Sequence, residues 1–158
     1  MRSRIKALFL SLIFVLSVLG IGCTTRQPAP TPEITSEAPR EAAIDEAGTY
    51  DQADDVALYI YTYNKLPSNY ISKKEAKKLG WEGGSVEQVA PGKCIGGDWY
   101  GNYEGLLPAK EGREYHECDI DTLGKKKRGA KRIIYSNDGL IYYTDNHYES
   151  FTLLYGEE

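Results

Sequence analysis

The sequence predicts an α+β domain in which N-terminal helices pack on one face of an antiparallel β-sheet of about five strands. Helical signals occur between residue 50 and about residue 90. Segments with the two-residue alternation of strands, separated by turn-forming residues, fill the rest of the chain. Helices that precede a run of antiparallel strands are typical of this class, because one face of the sheet needs a covering layer.

The first predicted helix shows an apolar stripe at helical spacing, formed by Ala53, Val56, Ile60 and Tyr63. Asp51 can cap the start of this helix, and Pro67 closes the element. The stripe would face the sheet, because the apolar face of a helix is buried against the neighbouring layer.

Two shorter helices are predicted next. In the first, Ser72 and Glu75 form a capping box, and Gly80 suits the left-handed position that ends many helices. In the second, Ser85 is the capping residue and Gln88 occupies the capping-box position. Both helices therefore have defined starts even though neither is long.

Strand signals dominate after residue 93. Residues 94–100 indicate a glycine-containing strand or bulge, residues 132–144 a hairpin that turns at 137–139, and residues 150–154 a last strand. The alternation in 113–120 places Arg113, Tyr115, Glu117 and Asp119 on one face, and Glu114, His116, Cys118 and Ile120 on the other.

The N-terminal residues 1–22 have the layout of a secretory signal, with a basic start and an apolar run that is short for a membrane span. The segment resembles a bacterial lipoprotein signal, which implies lipidation of Cys23. Gly20 occupies the position where such signals usually carry leucine. An ordinary cleaved signal and an uncleaved anchor remain as alternatives.

Residues 23–49 are rich in Pro, Thr, Glu and Ala and predict a disordered tether, because they contain too few large apolar side chains to offset the entropy of ordering. The folded domain is predicted at 50–158. Its acidic balance, like the formal net charge of −4 for the whole chain, argues against nucleic-acid binding without excluding it, because the basic residues are unevenly spread. Cys94 and Cys118 could form a disulfide or remain buried thiols.

Several charged residues can meet on one face of the predicted sheet. Glu117 lies on the central strand, Arg128 and Arg132 lie at the start of the next strand, and His147 follows the hairpin. One interpretation is a site for acid–base chemistry. The alternatives are a solvated network of salt bridges and, for His147, a histidine at the edge of the sheet.

The chain from about residue 53 to residue 154 resembles the barnase family of secreted bacterial guanyl-preferring ribonucleases. The resemblance rests on "YNKLPSNYISKKEA", "LGW", "VAPGKCIGGD", "EGLLPAKEGREYHECDI", "RIIYS" and "HYESFT", which occur in the family's order. It implies that Glu117 is the general base and His147 the general acid. The phosphate-binding cations that it implies are Lys73, Arg128 and Arg132.

The resemblance also implies roles around this centre. Tyr148 falls on the active-site tyrosine beside the histidine, and Asp98 and Asp119 fall on acidic residues that support the cations. Asn102 and Glu104 fall on the loop that recognises guanine. Tyr103 stands where the family has an arginine, which removes one cation and offers an aromatic ring that could stack on a base.

The implied function is an endoribonuclease that cleaves single-stranded RNA 3′ to guanosine through a 2′,3′-cyclic phosphate, with no metal or cofactor. We expect a monomer that is secreted or tethered to the outer face of the cell membrane through Cys23. The alternative is a binding or toxin module recognised by a barstar-like inhibitor protein, with weak or no catalysis. A lipoprotein that binds small ligands is a further alternative, but it would leave Glu117 and His147 unexplained.

Overall fold

A computed structural model describes residues 44–158 of the chain. The predicted signal at 1–22, Cys23 and most of the predicted tether lie outside the described residues. In the part that is described, no helix has the length and apolar character needed to cross a membrane. The fold below is therefore that of residues 44–158.

The described residues form two α-helices, a single 3₁₀ turn at Val86–Gln88 and one six-stranded sheet. The helices are α1 (Ala53–Tyr63) and α2 (Lys73–Lys78). The strands are β1 (Tyr70–Ile71), β2 (Cys94–Tyr100), β3 (Tyr115–Asp119), β4 (Arg132–Ser136), β5 (Ile141–Thr144) and β6 (Thr152–Tyr155). The sheet order follows the chain from β1 to β6.

The predicted α+β class is confirmed, with one strand more than expected. Strands β2 to β6 pair antiparallel, whereas β1 pairs parallel to β2. Strand β1 has two residues, which is too short to show the alternation by which strands are recognised in a sequence.

The two faces of the sheet bury different clusters. On one face, α1 packs through Val56 and Ile60 onto a core that includes Cys118 and Ile133. On the other face, a second cluster contains Leu107, Tyr115, Ile134, Leu140 and Tyr142. Because side chains alternate along β3, Glu117 and Asp119 share the face of Tyr115 rather than the face that α1 covers.

The predicted cap of α1 is wrong. The N-cap residue is Gln52, whose side chain makes no capping hydrogen bond. The Asp51 carboxylate instead accepts a hydrogen bond from the Leu123 backbone N–H at 2.8 Å. The helix ends at Asn64, which adopts a left-handed conformation with φ of 52°. Asp51 therefore fastens the β3–β4 connection to the start of α1.

The cap of α2 agrees with its prediction. Ser72 accepts a hydrogen bond from the Glu75 backbone N–H, the Glu75 carboxylate accepts one from the Ser72 backbone N–H, and Gly80 has a φ of 89°. The third predicted helix is only the 3₁₀ turn, at whose start Ser85 accepts from the Glu87 N–H.

The strand features that the sequence indicates also occur. The pairing of β2 with β3 shifts between Gly96 and Asp98, so the bulge lies at the predicted glycines. The β4–β5 hairpin closes through a hydrogen bond from the Ser136 N–H to the Leu140 carbonyl. One placement differs, because β4 begins at Arg132 and Arg128 lies in the preceding loop.

Residues 44–49, at the end of the predicted tether, contact α1. The Tyr63 hydroxyl donates to the Ile44 carbonyl at 2.6 Å, and the Tyr59 hydroxyl donates to the Glu46 carbonyl at 2.9 Å. Glu46 also forms an ion pair with Lys65. The described end of the predicted tether therefore contacts the domain before the boundary predicted at residue 50.

Cys94 and Cys118 are buried free thiols rather than a disulfide. The register of β2 and β3 sets Cys118 opposite Gly96, not opposite Cys94. Cys94 instead lies within 3.7 Å of the Asn69 side-chain nitrogen. Burial raises the pKa of the Cys94 thiol to about 11.

Candidate active site

Glu117 lies at the centre of the site. Glu117 is only 7% exposed, and its carboxylate accepts two hydrogen bonds from other side chains. The Lys73 ammonium donates to Oε1 at 2.5 Å, and the Tyr148 hydroxyl donates to Oε2 at 2.6 Å. Burial raises the pKa of Glu117, but these two hydrogen bonds and the charges of Lys73 and Arg132 outweigh it and hold the pKa below its ordinary value. The carboxylate is therefore ionised and able to accept a proton.

Lys73 reaches Glu117 from the first turn of α2. The capping box at Ser72 fixes where this helix begins. Asp98, from β2, accepts a hydrogen bond from the Lys73 backbone N–H at 2.9 Å. Asp98 therefore supports a cation, as the family resemblance implies, but it does so through the lysine backbone and not through its ammonium group.

Asp119 holds the two arginines of the site. The Arg128 guanidinium donates to both carboxylate oxygens, from Nε at 2.6 Å and from Nη2 at 2.7 Å. This paired contact raises the pKa of Arg128, and the guanidinium also lies over the Trp81 ring at 5.7 Å. Arg128 thus has a fixed position although it lies in a loop.

Arg132 is almost fully buried at the start of β4. Its Nε lies 3.0 Å from Asp119, which is an ion-pair contact without a hydrogen bond. Nη1 donates to the carbonyls of Lys131 and Gly129 at 2.6 and 3.2 Å. Its guanidinium lies 6.0 Å from the centre of the Tyr148 ring. The positive charge of Arg132 is therefore directed at the face that carries Glu117.

His147 and Tyr148 lie in the turn between β5 and β6, and both have left-handed backbones with φ of 59° and 73°. Few residues other than glycine adopt this conformation, and two in succession indicate a strained turn. Thr144 and Asn146 hold the turn in place. The Tyr148 N–H donates to the Thr144 hydroxyl at 3.2 Å, and that hydroxyl donates to the Asn146 side chain at 2.9 Å.

This turn brings His147 and Glu117 to the same cavity. The cavity measures about 490 Å³, and its lining includes Glu117, His147, Tyr148, Tyr100 and residues 101–104. His147 is exposed at its rim, whereas Tyr148 stacks on Tyr100 with ring centres 5.5 Å apart. A proton acceptor and an imidazole therefore share one open cleft.

The loop that joins β2 to β3 forms one wall of the cavity. Asn102 adopts φ of 41°, and its side-chain amide both donates to the Leu107 carbonyl at 2.8 Å and accepts from the Leu107 N–H at 3.0 Å. Asn102 therefore shapes this loop from within. Tyr103 and Glu104 are exposed beside it, and Tyr103 contacts the Trp99 ring edge-on at 5.8 Å between centres.

Three residues of the site were missed in the sequence. Tyr100 lies on the same face as Glu117 by strand alternation, which could have indicated it. Thr144 and Asn146 belong to a polar run that is typical of side-chain-stabilised turns, but such a run does not reveal which backbone it holds. Among residues 44–158, no group of three or more His, Cys, Asp or Glu side chains is arranged to hold a metal ion.

Comparison with known proteins identifies the family. A family model described as ribonuclease matches residues 53–155. The chain is 37% identical over 158 residues to the ribonuclease of Bacillus intermedius, covering 94% of this chain and 97% of that protein. It is 48% identical over 100 residues to the ribonuclease of Heyndrickxia coagulans, covering 62% of this chain and 91% of that protein.

A shorter similarity links the chain to a protein with a more specific name. Guanyl-specific ribonuclease St of Saccharopolyspora erythraea is 40% identical over 57 residues, which cover 36% of this chain and 56% of that protein. The family model spans the whole sheet and both helices, including every residue of the cavity described above. The chain therefore belongs to the ribonuclease family, whose substrate is RNA.

Proposed function

We propose that this enzyme is an endoribonuclease that cleaves single-stranded RNA 3′ to guanosine by acid–base catalysis. The observation that carries the proposal is the buried Glu117 carboxylate, held ionised by Lys73 and Tyr148 in the cavity that also contains His147. A base that is ionised at neutral pH, an imidazole and nearby guanidinium groups are the components that RNA cleavage needs.

In the first step Glu117 accepts the proton of the ribose 2′-hydroxyl, and the 2′-oxygen attacks the adjacent phosphorus. The bond from phosphorus to the 5′-oxygen breaks, and His147 gives this oxygen a proton as it leaves. The product is a 2′,3′-cyclic phosphate. In the second step the two residues exchange roles, so that His147 takes a proton from water and Glu117 returns one to the 2′-oxygen as the ring opens.

Lys73, Arg128 and Arg132 stabilise the negative charge that develops on the phosphate oxygens during both steps. Their positions are fixed before substrate arrives, by the α2 cap for Lys73 and by Asp119 for the arginines. Fixed donors stabilise a transition state more than mobile ones, because no reorganisation is needed at the moment of reaction. Lys73 contributes twice, since it also keeps Glu117 ionised.

Guanine preference comes from residues 100–105, in the loop that Asn102 closes onto Leu107. Backbone N–H groups of the loop donate to guanine O6, and the Glu104 carboxylate accepts from guanine N1–H and N2–H. Adenine lacks this donor pattern. Two observations support the assignment: the loop is pinned by Asn102 at the edge of the catalytic cavity, and a relative is named guanyl-specific.

The direct test incubates the protein with a defined single-stranded RNA in the presence of a chelator and maps the cut ends. We expect cuts 3′ to guanosine, with a cyclic phosphate appearing before the 3′-phosphate. Cuts that are equally frequent after all four nucleotides would contradict the guanine assignment. The direct appearance of 5′-phosphate ends, with no cyclic intermediate, would contradict the acid–base mechanism.

A further inference from the structure

The loop that joins β3 to β4 concentrates positive charge that the proposed chemistry uses only in part. Six of the eight residues 125–132 are Lys or Arg, in a chain whose formal net charge is −4. Arg128 and Arg132 bind Asp119, and Lys131 forms an ion pair with Asp121. The other three are Lys125, Lys126 and Lys127.

These three lysines are exposed and free to bind a ligand. Within residues 44–158, no carboxylate forms an ion pair with any of them. Three adjacent cations repel one another, so this arrangement costs stability unless an anion is bound. A run of this kind on an otherwise acidic protein therefore points to a negatively charged partner.

The lysines are presented from a loop that is fastened at both ends. Before them, the Leu123 N–H donates to the Asp51 carboxylate at 2.8 Å and the Gly124 N–H donates to the Glu87 carboxylate at 3.1 Å. After them, Arg128 is held by Asp119. The ammonium groups therefore extend from a defined place next to the active site.

An open groove of about 830 Å³ runs along this loop and is lined by residues 125–131. Its acidic lining residues are Asp51, which accepts the Leu123 hydrogen bond, Asp121, which pairs with Lys131, and Asp145. Arg128 lines the groove and also binds Asp119 in the active site. A single guanidinium therefore connects the two regions.

The groove and the loop 101–107, to which guanine recognition is assigned, lie at opposite ends of β3. The register pairs Tyr100 with Tyr115, so the loop 101–107 leaves the sheet at the Tyr115 end of this strand. The basic loop leaves it at the Asp119 end. Glu117 lies between the two, and the strand spans about 13 Å from Tyr115 to Asp119. An RNA strand that runs from the loop 101–107 past Glu117 would therefore leave β3 at the end where the basic loop begins.

We propose that Lys125, Lys126 and Lys127 bind the phosphate groups of the RNA on the 3′ side of the cleaved bond. The inference rests on the proposed function, because guanosine in the loop 101–107 fixes the direction of the strand. Lysine ammonium groups suit this role, since they attract phosphate without reading sequence. The enzyme gains affinity for longer RNA while its catalytic groups stay unchanged.

The test compares the parent with the variant K125Q/K126Q/K127Q on two substrates. One is a dinucleotide that begins with guanosine, and the other continues for several nucleotides on the 3′ side. At low salt, kcat/KM on the longer substrate should fall by about 10-fold or more, while the dinucleotide value stays within about two-fold. The slope of log kcat/KM against log salt should become shallower by about 2 for the longer substrate, because each phosphate contact contributes about 0.7.

A matched control is the variant K74Q/K77Q/K78Q, which removes the same charge from exposed positions that form no ion pair within residues 44–158 and line neither cavity. The control variant should leave the ratio of kcat/KM on the longer substrate to kcat/KM on the dinucleotide unchanged. An equal loss in the control variant would mean that overall charge is responsible and would overturn the proposal. An equal loss on both substrates in K125Q/K126Q/K127Q would also overturn it, because the lysines would then act on the reacting phosphate.

Binding of uncleavable RNA separates this inference from the proposed function. With 2′-deoxyguanosine at the cleavage position, the attacking hydroxyl is absent, and affinity can be measured whether or not the parent cleaves RNA. Affinity for a strand extended on the 3′ side should fall in the triple lysine variant, whereas affinity for one extended on the 5′ side should not. If the triple lysine variant instead lost affinity for the strand extended on the 5′ side, the proposal would be wrong. It would also be wrong if the variant bound RNA as the parent does but lost binding to phosphatidylglycerol vesicles, because the lysines would then serve a membrane surface.

Discussion

At the scale of single residues, the site depends on how one buried carboxylate keeps its charge. Burial alone would raise the pKa of Glu117. The carboxylate would then stay protonated, and inactive as a base, up to a higher pH than an exposed glutamate. Lys73 and Tyr148 reverse that effect through one hydrogen bond to each oxygen. The same two contacts fix the direction of the carboxylate, so its charge and its orientation have a common origin.

The first prediction tests the two proton-transfer residues. We expect Glu117→Gln and His147→Ala each to lower kcat by about 100-fold or more, the usual scale for a general acid or base. Activity is measured on a guanosine dinucleotide, and folding is checked by thermal unfolding. His116→Ala is the matched control, because this second histidine lies on the other face and stacks on Tyr135. Near-normal activity of either variant would remove that residue from the mechanism.

The second prediction concerns the pH profile. Tyr148→Phe removes a hydrogen bond that lowers the pKa of Glu117, so that pKa should rise. Because the base must be ionised to act, the acidic limb of kcat/KM should move to higher pH in the variant. The exposed Tyr61 on α1 supplies the control variant Tyr61→Phe, which should leave the limb in place. A Tyr148→Phe profile that matches the parent would mean that this hydroxyl does not tune the base.

At the scale of elements, helix α2 and the loop 101–107 are two of the short segments that bring site groups to the sheet. Helix α2 aims Lys73 across to β3, and the loop 101–107 forms the wall next to Glu117. Each segment is held by a local device, the Ser72 capping box in one case and the Asn102 amide in the other. Damage to either device should therefore affect function as well as stability.

For α2, we expect Ser72→Ala to lower the free energy of unfolding by about 1 kcal/mol, the usual effect of losing an N-cap. It should also lower kcat on the dinucleotide, because the start of the helix positions Lys73. Urea unfolding gives the first quantity and steady-state kinetics the second. The control is Ser68→Ala, since Ser68 is exposed and precedes α2 without capping it. Unchanged kcat in a destabilised Ser72→Ala variant would show that the cap serves stability alone.

For the loop, Asn102→Gly keeps a residue that tolerates the φ of 41° but removes both hydrogen bonds to Leu107. We expect the ratio of kcat/KM for guanosine over adenosine dinucleotides to fall by up to about 30-fold, because the two lost hydrogen bonds are each worth about 1 kcal/mol and hold the loop in the shape that the guanine contacts need. Asn137→Gly in the β4–β5 turn is the control. A preserved ratio would show that the loop keeps its shape without the Asn102 amide.

At the scale of the whole molecule, the positive charges are clustered although the net charge of the chain is negative. The cations of 125–132 cluster beside the active site, whereas the formal net charge of the chain is −4. A net negative protein can therefore bind RNA, which explains why overall charge was a poor guide to function here. Because this cluster of cations would contact the phosphates of long RNA, activity on long RNA should fall with added salt more steeply than activity on dinucleotides.

The last prediction concerns where the enzyme acts. We propose that the chain is exported and held at the outer face of the membrane by a lipidated Cys23, which fits a nuclease that would be harmful among the RNA of its own cell. Cys23→Ser should move the protein from the membrane fraction to the medium, or block its processing, while activity per molecule stays unchanged. The matched variant is Thr24→Ser at the next position. If Cys23→Ser protein fractionates and migrates like the parent, the lipoprotein assignment is wrong.

The sequence by itself determined the local features of the fold. Alternation in 113–120 was enough to place Glu117 and Asp119 on one face, and the Ser72 box and the Asn137–Gly139 turn were predicted correctly because near neighbours control them. The catalytic roles had a different source. The proposed roles rest on the resemblance to a known family, because no spacing in the chain distinguishes a catalytic histidine from one at the edge of a sheet.

Tertiary structure decided which distant residues meet. The contacts of Glu117 with Lys73 and Tyr148 join residues 44 and 31 positions apart. They depend on strand register and on a strained turn, neither of which leaves a periodic signal. For the same reason, the sequence does not reveal the two-residue strand β1, nor that Asp51 binds Leu123, 72 positions away, instead of capping α1. Local patterns follow from backbone geometry over a few residues, whereas long-range pairs are fixed only when the whole chain packs.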